Sequence, residues 1–250
     1  AYNRFKDIAL LWSIGKDSTT MLWIARKAFF GDIPFPIIHI DTGFKFKEIY
    51  EFRNKYVKEW KLGLVISKNE PALTEHTCPE KGKFECCNAL KTEALKITIK
   101  ERALKALILA IRRDEHGIRA KERYFSPRAN DFMWNYQNQP AELWDLYKSG
   151  LGMKEEHFRI HPMLHWTELD IWRYIQKEKV PVVDLYFAKN GKRFRSIGCL
   201  PCCMPVASRA NTIAKIVREL KTTKIAERSG RAQDKEDTYT MQKLRSLGYM

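Results

Sequence analysis

Ile8-Ala9-Leu10-Leu11-Trp12-Ser13-Ile14-Gly15-Lys16-Asp17-Ser18 is an apolar run that breaks into a short polar turn with one glycine. Beyond the turn, Met21, Leu22, Ala25, Ala28 and Phe29 fall on one helical face, and Ile37-Ile38-His39-Ile40 is a second apolar run ending at Asp41. A strand, a helix and a strand in this order predict a parallel sheet that takes its ligand beyond the carboxyl ends of the strands. Ser13 to Ser18 and Asp41-Thr42-Gly43 both lie at such ends.

The alternation continues outward. A helical stretch from about 45 to 60 leads to the strand Leu62-Gly63-Leu64-Val65-Ile66, and a polar, proline-containing loop then carries Cys78, Cys86 and Cys87. A helix is expected from near Asn88, then the strand Ala106-Leu107-Ile108-Leu109-Ala110 with Ile111-Arg112-Arg113-Asp114-Glu115 at its carboxyl end. Residues 126–152, rich in aromatic and amide side chains and without periodicity, read as a long loop over the sheet. Thr167-Glu168-Leu169-Asp170 has the form of a helix start, with Ile171, Trp172 and Ile175 on one face. The expected architecture is α/β: a Rossmann-like parallel sheet with helices on both faces over 1–195, and an irregular, basic, cysteine-containing tail over 196–250.

Composition narrows the class. The 250 residues are 44% apolar, enough for a substantial core, and no window approaches eighteen consecutive apolar residues. No signal-peptide pattern opens the chain, so the expectation is a cytoplasmic protein without a membrane partner. The net charge of +15, from 45 basic and 30 acidic residues, points to a polyanionic partner such as nucleic acid, or simply to a lysine-rich soluble surface. The cysteines form two groups, Cys78/Cys86/Cys87 and Cys199/Cys202/Cys203. In a reducing compartment, clustered thiols hold a metal or do redox chemistry more often than they pair.

A turn that joins a buried strand to a helix gathers backbone N–H groups at the positive helix end, which suits a phosphate. Lys16 adds a mobile charge, and Ser13 and Ser18 add hydroxyl donors. Neither the Gly-x-x-x-x-Gly-Lys-Ser/Thr spacing nor Gly-x-Gly-x-x-Gly is present, and in isolation the six residues also fit an ordinary strand-to-helix turn.

Ser-x-Gly-Lys-Asp-Ser nevertheless resembles the pyrophosphate loop (PP-loop) of the adenine-nucleotide α-hydrolase superfamily. Residues 40–48, 110–115, 119–123, 165–172, 193–199 and 227–231 resemble, in order, the small catalytic subunit of bacterial ATP sulfurylase and so its wider phosphoadenylyl sulfate reductase family. The resemblance implies an ATP pyrophosphatase, in which an acceptor attacks the α-phosphorus of ATP and pyrophosphate leaves. It implies that the Gly15 backbone, Ser13, Lys16 and Ser18 face the β- and γ-phosphates, and that Asp17 orients the loop or assists Mg²⁺. Asp41 then suits the ribose or the metal. Arg112, Arg113, Arg119 and Lys121 suit the acceptor oxyanion or the α-phosphate, and Arg228 and Arg231 close over it. Lys16, Asp17, Arg112 and Arg113 are the expected catalytic set. Ile14 stands where the commonest form of the loop has a second glycine, so its backbone is expected at negative φ.

Cys86-Cys87 with the distant Cys199-Leu200-Pro201-Cys202 resembles the iron–sulfur pattern of adenylyl sulfate reductases and of the ATP pyrophosphatases of DNA phosphorothioation systems. Adjacent cysteines strain to reach one tetrahedral ion, whereas a cubane offers each thiolate its own iron, so a [4Fe–4S] cluster on Cys86, Cys87, Cys199 and Cys202 is expected. Cys78 and Cys203 remain as packing residues or sulfur-relay thiols. His161 and His165 read as structural, and the tail lacks the Glu-Cys-Gly-x-His element of the reductases. The leading expectation is adenylylation of an oxyanion in sulfur metabolism, first the DNA backbone for phosphorothioation, with DNA and a cysteine desulfurase or another sulfur-transfer subunit as partners. The alternatives are the small subunit of sulfate adenylyltransferase, paired with a GTPase subunit, and a noncatalytic iron–sulfur scaffold.

Overall fold

The computed structural model describes residues 1–75, 77–129, 131–139, 141–144, 147, 157–232 and 240–249. Its centre is a six-stranded sheet in the order β3-β2-β1-β4-β6-β5. In chain order these are β1 (Ile8–Leu11), β2 (Ile37–Ile40), β3 (Leu64–Ser67), β4 (Ala106–Ile108), β5 (Phe125–Arg128) and β6 (His157–Ile160). All neighbours run parallel except β5, which pairs antiparallel with β6 at the edge.

Central parallel strands are covered on both faces and are therefore mostly apolar, with His39 in β2 and His157 and Arg159 in β6 as buried exceptions. β1, β2, β4 and β6 are fully buried along their lengths. Successive side chains point to opposite faces. Ile8 and Leu10 thus join one core with Met21, Leu22, Ile49, Trp172, Ile175 and Ile216, while Ala9 and Leu11 join a second with Leu95, Ile99 and Leu107. Helices cover both faces. α1 (Lys16–Ala28), α2 (Lys47–Glu59), α6 (Glu168–Glu178) and α7 (Ile213–Leu220) build on the first core, and α5 (Ala94–Glu101) on the second. The short helices α3 (Glu70–Thr74) and α4 (Lys83–Cys87) precede α5, and α8 (Thr240–Ser246) ends the described chain. None of these helices is long and apolar enough to cross a membrane.

The chain passes β1 to β2 to β3 on one side and then returns to place β4 on the other side of β1. The loops after β1 and β4 consequently diverge and leave a crevice between them, where open α/β sheets bind ligands.

Three elements depart from expectation. The span read as a loop from 126 begins inside β5, whose Pro127 is tolerated because the strand lies at the sheet edge; residues 130, 140, 145–146 and 148–152 of that span lie outside the described residues. The helix expected from Asn88 starts at Lys83 as α4 and passes through a π-helical segment, Asn88–Glu93, before α5. Beyond 195 the chain adds a hairpin of β7 (Lys192–Arg193) and β8 (Val206–Ala207), then α7 and α8, and Cys203, Ala210 and Ile216 pack into the same core as β1. The helix start at Thr167 is a capping box, with the Thr167 hydroxyl accepting from Asp170 N–H and the Asp170 carboxylate accepting from Thr167 N–H.

Buried histidines tie the strands to acid stability. Burial, reinforced by Lys45, pushes His39 down to about 4, although its Nδ1 donates to the Trp12 carbonyl at 2.9 Å. Burial likewise pushes His161 down to about 4 against the attraction of Glu122. In the unfolded chain each titrates near 6.5, so below that pH the unfolded state binds more protons and the fold loses stability until the folded value is passed. The urea midpoint is expected to hold level above pH 7. Between pH 6.5 and 4 stability should fall with a slope of about 1.4 kcal/mol per pH unit for each histidine.

Candidate active site

β1 delivers Ser13-Ile14-Gly15 into the crevice, and α1 starts at Lys16 with Gly15 as its N-cap. Ile14 adopts φ 66°, in the left-handed region, which corrects the expectation of negative φ. That conformation costs about 1–2 kcal/mol for an L-residue and is unusual for a β-branched one. Its side chain is 1% exposed within the β1 core, so packing holds the backbone in place. Ile14→Gly relieves the strain but deletes a buried side chain worth about 2–5 kcal/mol and adds chain entropy of about 0.5–1 kcal/mol. Burial wins: the variant should lose about 2 kcal/mol in urea denaturation.

The turn is held by its own hydroxyls, with Ser13 Oγ 3.0 Å from Ser18 Oγ and Ser18 Oγ donating to the Gly15 carbonyl at 3.1 Å. The first helical N–H, on Lys16, donates to the Tyr186 hydroxyl at 2.9 Å, which aims the helix end from a segment far along the chain.

Behind the turn lies a buried ion network. Lys16 Nζ donates to Asp17 at 3.1 Å, to the Arg195 carbonyl at 3.3 Å and to Glu227. Arg112, fully buried, donates through Nε to Asp17 at 2.7 Å and through its two terminal nitrogens to Asp114 and Glu227. Its backbone N–H reaches Glu115 at 3.1 Å, and Glu115 also pairs with Arg119. Glu168 N–H donates to Asp114 at 2.7 Å, and the Glu168 carboxylate accepts from Arg195. Burial alone lowers Lys16, yet the carboxylates of Asp17, Glu227 and Glu168 outweigh it and hold the ammonium above its usual range. Burial works against the Glu115 carboxylate too, but Arg119 and Arg112 overcome it and keep that group ionised.

A cavity of about 130 Å³ opens over this network, lined among others by Ser13, Gly15, Lys16, Asp17, Ser18, Glu115, Arg119, Arg228 and Arg231. All of these except Glu115 were expected at the site, and Arg112 backs them. Three others are placed elsewhere. Asp41, at the end of β2, accepts from Tyr50 at 2.8 Å and from Gly43 N–H at 3.0 Å and pairs with Arg53, outside the cavity lining. The Arg113 guanidinium lies 5.5 Å from the Tyr124 ring centre, and exposed Lys121 sits 4.5 Å from that of Tyr136. Residues not anticipated are Glu115, Glu168, Tyr186, Arg195 and Glu227. Glu115, Glu168, Arg195 and Glu227 lie in segments that carry the resemblance, without a role assigned to them, and for the three glutamates there was also a physical signal: a buried lysine and arginine demand carboxylates.

The cavity continues past Lys45, Lys91, Gly198 and Tyr249 towards the cysteines. Cys86, Cys87, Cys199, Cys202 and Cys203 are buried free thiols and Cys78 is half-buried. Lys91 Nζ donates to Cys87 Sγ at 3.3 Å, Thr42 Oγ1 lies 3.2 Å from Cys199 Sγ, and Gly198 N–H donates to Cys203 Sγ at 3.0 Å. Burial raises Cys86 to about 12, with Cys87, Cys199 and Cys202 adding to the rise. Burial also acts upward on Cys199, but Lys91, Lys45 and the Thr42 hydroxyl bring it down to about 7. The two cysteine groups therefore meet at one place. Among the described residues no three of their sulfurs lie within 4.8 Å of one another, wider than the roughly 3.8 Å between thiolates on one tetrahedral zinc.

A parallel sheet with its crevice at the strand-order switch, and a Ser-x-Gly-Lys-Asp-Ser turn at that crevice, define the class: an ATP-using adenylyl-transfer enzyme of the PP-loop superfamily. The chain belongs to the phosphoadenosine phosphosulfate reductase domain family, which it matches over residues 7–205. It is 39% identical to sulfate adenylyltransferase subunit 2 of Agrobacterium fabrum over 98% of this chain and 87% of that one, and 38% identical to that of Stutzerimonas stutzeri over 98% and 92%. Its fold is similar to that of phosphoadenylyl-sulfate reductase from Candida auris, with a TM-score of 0.58 at 18% identity, covering 82% of this chain and 86% of the other. It is also similar to Candida glabrata FMN adenylyltransferase solved with ATP, with a TM-score of 0.56 at 17% identity over 82% and 57% of the two chains.

Proposed function

We propose that this chain is the catalytic subunit of a sulfate adenylyltransferase and works beside a GTPase subunit. A sulfate oxygen attacks the α-phosphorus of ATP, the new P–O–S bond forms as the bond to the β-phosphate oxygen breaks, and pyrophosphate leaves with the electron pair. The observation that carries this reading is the cavity where Lys16, Arg119, Arg228 and Arg231 surround the glycine turn at the head of α1. Identity of 37–39% to sulfate adenylyltransferase subunits over 98% of the chain supports sulfate as the acceptor. In this reading Lys16 and the N–H groups of the turn receive the β- and γ-phosphates, and Ser13 and Ser18 add donors. Asp17 assists Mg²⁺. Arg119, Arg228 and Arg231 neutralise charge developing at the α-phosphate and the acceptor, so positioning and electrostatics supply the catalysis.

A second reading keeps this chemistry and exchanges sulfate for a DNA backbone phosphate, with sulfur supplied by a cysteine desulfurase. The meeting of Cys86, Cys87, Cys199 and Cys202 favours it, because sulfate adenylylation needs no thiols, and the +15 charge suits DNA. Four buried thiols from two groups that meet at one place supply the ligand number of a [4Fe–4S] cluster, which when bound would supply electron or sulfur delivery.

The test is pyrophosphate release from Mg²⁺-ATP by the purified chain, with sulfate and with duplex DNA at two salt concentrations. Stimulation by sulfate supports the first reading, and stimulation by DNA that fades with salt transfers the function to the second. Release of ADP and phosphate instead of pyrophosphate would overturn both.

A further inference from the structure

Both cations behind the phosphate turn are engaged at every side-chain nitrogen. Each donor of the Lys16 ammonium is used, on Asp17, Glu227 and the Arg195 carbonyl, and Arg112 is committed to Asp17, Asp114 and Glu227. A triphosphate brought up to Lys16 with these partners in place would meet a row of buried carboxylates of its own sign, and would find no free ammonium donor. One partner has to leave.

The surroundings decide which. Asp17 is fixed in the first turn of α1 and bonds both Lys16 and Arg112. Asp114 also holds the first N–H of α6, and Glu115 holds the Arg112 N–H and Arg119. The Arg195 carbonyl is main chain. Glu227 differs on each count: it sits in the irregular segment after α7, and among the described residues its carboxylate accepts only from Lys16 and Arg112. It also faces a second cavity, of about 270 Å³, whose wall includes Arg195. Arg195 Nε has no hydrogen-bond partner among the described residues. The carboxylate thus has both room to move and a donor to move to.

We infer that Glu227 is a stand-in for nucleotide phosphate: it neutralises Lys16 and Arg112 while the site is empty and yields them to the triphosphate, swinging towards Arg195. The inference rests on the reading of Lys16 as a phosphate ligand given above. The same segment carries Arg228 and Arg231, which line the nucleotide cavity, so the exchange re-sets the two arginines as the phosphates arrive. Glu227 is in this sense a positioning residue whose charge opposes nucleotide binding.

The experiment compares wild type with Glu227→Gln, using the full chain and Mg²⁺ with α,β-methylene ATP as the probe in titration calorimetry, beside thermal melting without nucleotide. Glu227→Gln keeps the shape and removes the competing charge. It should bind the analogue about tenfold more tightly while melting at a lower temperature. A residue with a purely structural role would weaken both, and an unchanged or weaker affinity in a folded Glu227→Gln overturns the inference. If Glu227→Gln fails to fold, Glu227→Asp carries the test, because the shorter side chain loosens the bridge and should shift affinity in the same direction. Loss of the inference alone leaves wild-type binding intact. No analogue binding by wild type or variant would instead sink the phosphate-loop reading, and the exchange with it.

Discussion

Lys16→Ala is expected to reduce pyrophosphate release from ATP by about 10²–10³-fold, the usual consequence of removing one preorganised charge from a site where negative charge is held. Two features of the fold make the effect large. The ammonium is buried, so solvent screens its charge little, and it belongs to the first residue of the helix that begins at the turn. Arg112 still partners Glu227 and Asp17 after the substitution, but a buried cation is lost from the network, so some drop in melting temperature is expected and activity is compared below it. The measurement is a pyrophosphate assay paired with a melting curve. Retained activity in a folded Lys16→Ala would show that the phosphates lie elsewhere.

The second large effect belongs to the cysteines. Protein purified without oxygen should be brown and carry about four irons per chain, and Cys199→Ser or Cys202→Ser should remove both colour and iron. Cys203→Ser should retain them, since Cys203 Sγ already accepts from Gly198 N–H within its own loop. Stoichiometric zinc in a colourless protein would displace the cluster reading, and the sulfurs would have to draw together from their present spacing to hold it.

How much of this was open to a reader of the sequence depends on whether the cause is local. β2 lies where its apolar run places it, and the turn after β1 was visible because β1 is apolar throughout and stops abruptly. β5 was hidden by Pro127, whose penalty vanishes only at an edge strand, and being an edge is a property of the sheet. Ile14 was misread for the same kind of reason. Local sterics favour negative φ, and a side chain anchored in the core overrides them. Glu227 opens the 227–231 segment of the resemblance, but nothing local marked its partners, and Tyr186 had no local mark at all. Their contacts with Lys16 span 211 and 170 residues. The cysteine spacing was legible as a pattern, but that both groups border the nucleotide cavity through Lys45 and Lys91 emerged only from the folded chain.

Those long spans bear on how the protein is made. A chain emerging from the ribosome completes β1 and α1 early, yet the hydroxyl that caps the helix and the carboxylate that balances the lysine arrive only when residues 186 and 227 have been synthesised. Until then Lys16 has Asp17 beside it but neither distant partner, so the turn acquires its full set of contacts long after the motif that encodes it has been synthesised.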